Sequence, residues 1–114
     1  MIINRHRGEI RARLDGKDWS LCLTLGALAE LESAFAIEDI AALAERFSTG
    51  RLSSSDMLKL IGAGLRGAGH TLSNEEVAEM RAEGGATGYA VIVAELLTAT
   101  FGNPQVDMIE DEGR

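Results

Sequence analysis

The chain has 114 residues, a net charge of −7, 46% hydrophobic and 25% charged residues, which fits one soluble globular domain. The acidic balance argues against nucleic-acid binding, since phosphate contacts need a basic face, and five aromatics are too few for base-stacking platforms. A single cysteine, Cys22, permits no internal disulfide, no apolar run reaches the ~20 residues of a membrane span, and Met1-Ile2-Ile3 is too short for a signal peptide core; a cytoplasmic location is expected.

Arg5, Arg7, Arg11 and Arg13 crowd the start of the chain and Asp107, Glu110, Asp111 and Glu112 the end. Both charge runs serve solubility; alternatively, the basic start meets an acidic partner surface. The first structural unit is a hairpin. Asp15-Gly16 is a turn signal between two alternating segments. A two-residue loop pairs Leu14 with Lys17, Ala12 with Trp19 and Ile10 with Leu21. One face then collects Ile10, Ala12, Trp19, Leu21 and Leu23, and the other Glu9, Arg11, Arg13, Ser20, Cys22 and Thr24. A four-residue loop would keep the same faces. A lone hairpin is marginal in water, so its apolar face must pack on the remainder of the chain.

The rest reads as helices. Leu28, Leu31 and Phe35 share a face of the first, from about Gly26. Ile37, Ile40, Leu43 and Phe47 mark the second, ending near Gly50. Ser53 opens the third, which runs to about Arg66 and is ended by Gly67 and Gly69. Ser73-Asn74-Glu75-Glu76 is a capping box that starts a short fourth helix through Met80. Gly84-Gly85 breaks it, and Tyr89 to Phe101 forms a fifth, stopped by Gly102 with Pro104 beyond. This last helix is apolar nearly all round, so it is either the buried centre of the domain or a face awaiting a partner. The expected fold is α+β: an N-terminal β-hairpin packed on four to five short α-helices, a single domain over residues 1–102, with an acidic tail at 103–114 expected to be mobile.

Gly62, Gly64 and Gly67 also match G-x-G-x-x-G, the dinucleotide fingerprint, with Met57–Ile61 as its strand and Glu83 as its ribose acid. That chemistry needs a helix opening within the glycines of a parallel βαβ unit. Here a polar run, His70 to Asn74, comes after the glycines, and Leu58, Ile61 and Leu65 keep helical spacing before them. The helix-and-stop reading is preferred, and no cofactor is expected. Catalytic residues are not expected either. Cys22 sits opposite Glu9, with neither His6 nor His70 placed beside it as a base. No metal site is expected, because two histidines 64 positions apart lack ligand spacing. The carboxylates look like solvated helix faces. Arg66 ends an apolar helix, either as a cation favouring the helix C-terminus or as a planar fork for a partner's carboxylate.

Several stretches together resemble the small tail-assembly-chaperone family of gene transfer agents and tailed phages. They are Asn4 to Glu9, Leu23 to Glu32 after the Asp-Gly hairpin, Arg46-Phe47, Gly50, Leu65 to Gly69, and Val77. The resemblance implies a non-enzymatic assembly factor that binds the tape-measure protein and assists tail-tube assembly; some members carry the label of tail-tube component, which makes a structural tail subunit the alternative. A small dinucleotide-binding protein is the remaining one. The implied partners are the tape-measure protein and the tail-tube protein. A long helical partner needs an apolar groove, for which the helices Ser53–Arg66 and Tyr89–Phe101 could supply walls, and the free edges of the hairpin could take an added strand. The candidate partner contacts are Leu65, Arg66, Val93 and Leu97.

Overall fold

A computed structural model of the chain describes residues 8–102. The basic start through Arg7 and the acidic stretch from Asn103 onward, including the tail at 103–114, lie outside the described residues. Strand β1 (Glu9–Leu14) pairs antiparallel with β2 (Lys17–Cys22). The register is Leu14 with Lys17, Ala12 with Trp19, Ile10 with Leu21 and Glu9 with Cys22. Asp15 and Gly16 both take positive φ, 56° and 74°. That is the two-residue turn whose twist matches the flanking strands. The alternation works as expected: Ile10, Ala12, Leu14 and Leu21 are buried, whereas Arg11 and Arg13 are exposed.

Five helices complete the domain: α1 (Leu25–Phe35), α2 (Ile40–Ser48), α3 (Ser54–Gly67), α4 (Asn74–Ala78) and α5 (Gly85–Phe101). The fold is therefore α+β, a hairpin packed on helices. Each of the first four helices is capped by a side chain. Thr24, Asp39, Ser53 and Ser73 accept from the amides of Ala27, Ala42, Asp56 and Glu76 respectively. Ser53–Asp56 and Ser73–Glu76 are reciprocal capping boxes, because each acid in turn accepts from the cap residue's own amide.

Helix α3 is the axle of the domain. It packs on β2, α1, α4 and α5, while α5 also lies along β1. The core runs through Leu14, Leu21, Leu31, Leu60, Leu65 and Leu96, all nearly inaccessible to solvent. A satellite cluster locks α1 to α2 and α3. Phe35 and Phe47 meet edge to face at 5.2 Å, and the Arg46 guanidinium lies 5.6 Å from both rings. Arg46 Nη2 also reaches Asp56 Oδ2 at 3.2 Å. Burial alone would push the Asp56 carboxyl up. The Ser53 amide and the Arg46 guanidinium more than offset this and hold it below its ordinary value.

Three helix boundaries differ from the sequence reading. α2 starts at Ile40, not near Ile37. Ala36 takes a left-handed conformation (φ 57°), and the Ile37 amide bonds back to Glu32 O at 2.9 Å. This closes α1 with a Schellman-type bond and leaves Ile37 as a half-buried plug. α4 stops at Ala78, short of Met80. α5 starts at Gly85, not Tyr89, because Gly84 serves as its N-cap in the left-handed region. The all-round apolarity of α5 resolves into two faces: Ile92, Val93 and Leu96 are buried, while Val91 is 50% exposed.

The glycine-rich segment is helix. α3 runs without interruption through Gly62 and Gly64 to Gly67, Ala68 caps it, and Gly69 leaves at φ 103°. Met57–Ile61 is helical rather than extended, and among the described residues the sheet is a two-stranded antiparallel hairpin. The strand-glycine-helix context of a dinucleotide cradle is thus absent among the described residues. The glycines serve packing instead. A Cβ at Gly64 would lie 2.9 Å from Leu96 Cδ2 and 3.2 Å from Leu21 Cβ. One at Gly67 would collide with the Cys22 carbonyl, and one at Gly62 with the Asn74 side chain.

Candidate functional site

The N-terminal half of α3 does not meet the rest of the domain as closely as its glycine half. Between Met57, Leu58 and Ile61 on one side and α4 and the start of α5 on the other lies an apolar groove of about 350 Å³. Leu14 lines it from β1, Val77 and Met80 from α4 and its exit, and Ala86 and Tyr89 from α5.

Local sequence explains why the groove stays open. α4 is only five residues long, so it covers one turn of α3 and stops. The wall after it is held at a distance by polar ties. Tyr89 Oη donates to Met80 O at 2.6 Å. The Asp15 amide donates to Arg81 O at 2.8 Å, and the Arg81 amide donates to Asp15 Oδ1 at 3.0 Å. Leu14 and Ala82 form an antiparallel bridge beside them. The hairpin turn and the α4–α5 connection therefore hold each other. Small side chains, Ala78 and Ala86, stand at the exposed rim, and the flexible thioethers of Met57 and Met80 can adapt to an inserted apolar group. A cavity of this volume takes one or two large side chains of a partner.

Two of the expected partner contacts occupy other places. Leu65 and Val93 are fully buried in the core, so neither presents a side chain at the surface. Leu97 is half-buried and packs against the core. Arg66 is engaged within the chain. Its guanidinium pairs with Glu30 of α1, and its Nη1 donates to Leu72 O at 2.8 Å. It ties α1 to the loop that enters α4 while standing as a cation in the last turn of α3, as the first reading expected. Of the two walls expected for a groove, α3 and α5 both contribute, but through Met57, Leu58, Ala86 and Tyr89. The third wall, Val77 to Met80, was missed. Its signal in the sequence was the apolar pair Val77 and Met80 at helical spacing beside the capping box.

Nothing else among the described residues gathers reactive groups. No cluster of three His, Cys, Asp or Glu side chains there could hold a metal ion. Cys22 is half-buried on β2; burial, and then the facing charge of Glu9, push its thiol above the ordinary value. It is protonated at neutral pH and a poor nucleophile. His70 packs edge-on against Trp19 at 5.0 Å, with Ser20 Oγ 3.5 Å from its Nε2. No helix among the described residues is long and apolar enough to cross a membrane.

The family model described as phage tail tube protein, GTA-gp10, matches residues 7–103, which include the hairpin, all five helices and the groove. No curated protein and no solved structure matches the chain. The description names a tail tube protein of gene transfer agents rather than an assembly chaperone. By this match over most of its length the chain belongs to the phage tail tube protein, GTA-gp10, family.

Proposed function

We propose that the protein is a non-enzymatic component of a phage-like tail that works by binding other tail proteins, the tail-tube protein among them. The family match over residues 7–103 carries this reading. The apolar groove supports it, because a binding protein needs a recess that can bury a partner's apolar side chain, whereas an enzyme needs converging reactive groups. The protein remains in the finished particle as a tube-associated subunit. Mass spectrometry of purified particles tests this: the protein should be present at a fixed ratio to the major tail protein. Its absence from intact particles would refute the subunit reading.

The groove supports a second reading, an assembly chaperone for the tape-measure protein. Its walls are helices, its lining is apolar and rich in methionine, and it is open to solvent, which suits the apolar stripe of a helical partner. Co-expression separates the readings. A chaperone keeps the tape-measure protein soluble and leaves before the particle is complete. The remaining alternative, a small dinucleotide-binding protein, predicts a raised melting temperature in millimolar NAD or ATP, and no shift is expected.

A further inference from the structure

We infer that the outer edge of β1 is a docking site for an extended segment of a protein partner, added as a third strand whose outward residues are acidic. The site is independent of the α3–α4–α5 groove and does not rest on the tail-subunit reading.

The pairing sets which groups are free. Leu14 and Lys17 flank a two-residue turn and therefore exchange hydrogen bonds, as do Ala12 with Trp19 and Ile10 with Leu21. The amides and carbonyls of Glu9, Arg11 and Arg13 then point away from β2. The molecule already uses this edge once: the Asp15 amide, on the same side, donates to Arg81 O, and Ala82 bridges to Leu14 in antiparallel sense. Beyond that short bridge the edge continues toward Glu9 with no further strand among the described residues.

A ledge lies beneath it. α5 runs alongside β1 and forms with it an open trough of about 360 Å³. Arg11, Ala12 and Arg13 line the strand side, and Gly88, Val91 and Ile92 the helix side. Val91 is half-exposed there, while the Cβ position of Gly88 is taken up by the chain's own Glu83 carbonyl. An added strand satisfies the edge amides, rests small apolar residues against Val91, and turns alternate residues outward. Those outward positions lie beside Arg11 and Arg13, on the exposed face of the hairpin. Arg13 already meets Asp18 at 3.0 Å and Glu83 at 3.5 Å, whereas Arg11 forms no ion pair among the described residues. Charge therefore selects acids opposite Arg11. Glu83 and Glu95, on the helix side of the trough, disfavour acids facing inward.

The test is a nuclear magnetic resonance titration of the full chain with a blocked peptide alternating valine and glutamate, compared with one alternating valine and lysine. At millimolar glutamate peptide the Glu9 and Arg11 amides should exchange about tenfold more slowly, and the lysine peptide should have a smaller effect. Arg11→Glu, at an exposed position, should reverse the preference while leaving the melting temperature unchanged. Unaltered exchange at Glu9 and Arg11 with both peptides would overturn the inference. So would full protection of these amides before any peptide is added, which means that the chain's own residues or a second copy already fill the edge.

Discussion

The two halves of α3 have opposite surroundings. From Gly62 to Gly67 the helix is pressed against Leu21, Leu96 and the Cys22 carbonyl, so closely that positions 64 and 67 have no space for a side chain. From Ser54 to Ile61 it keeps full-sized side chains and faces a groove. One element thus fixes the architecture with one end and lines an open groove with the other. Tight packing is achieved by removing atoms; an adaptable surface is achieved by leaving methionine and leucine with no opposing layer.

Breaking the closed half should be the most damaging change. Leu65→Ala empties a fully buried site and should lower unfolding free energy by about 2–5 kcal/mol in urea titration. Gly64→Val must displace Leu96 and Leu21 and should cost about 1–3 kcal/mol by the same measurement, despite valine's better helix propensity. At the start of the open half, Asp56→Asn removes the carboxylate that caps α3 and pairs with Arg46, and should cost about 1 kcal/mol at pH 7. The pH dependence sharpens that test. The folded carboxyl titrates below its ordinary value of 3.8. Its contribution is therefore complete above that value and is lost as pH falls through the folded value. Acid titrations of the two proteins should converge there, and parallel curves would remove Asp56 from the account. The smallest effect on folding should come from Ala86→Trp at the exposed rim of the groove, about 0.5 kcal/mol or less. That variant should nonetheless lose binding to tail proteins in pull-downs, and retained binding would exclude the groove as the contact.

Much of the fold was legible in the chain. The hairpin register came from Asp15-Gly16 and strict alternation, and Ser53 and Ser73 announced their helices through their capping acids. Two of the boundaries that misled turn on left-handed backbone conformation. Ala36 adopts the left-handed region without being glycine, and the Gly84-Gly85 pair begins a helix as well as ending a turn. The groove was less legible. Its α3 and α5 walls can be read from periodicity, but its opening depends on how far α4 stands off, which the Asp15–Arg81 and Tyr89–Met80 hydrogen bonds set. Burial was the least legible part, because fully buried and groove-facing positions on one helix carry the same apolar residue types. Leu65 and Leu58 cannot be told apart until their neighbours are in place.

The clasp between Asp15 and Arg81 joins positions 66 residues apart. The hairpin is made on the ribosome before the segment that secures its tip and the helix that covers β1. Until then the nascent chain carries an uncovered apolar sheet face. Completion of the hairpin's packing therefore waits for Arg81 and α5, and chains cut before residue 81 should be preferred substrates for cellular proteases.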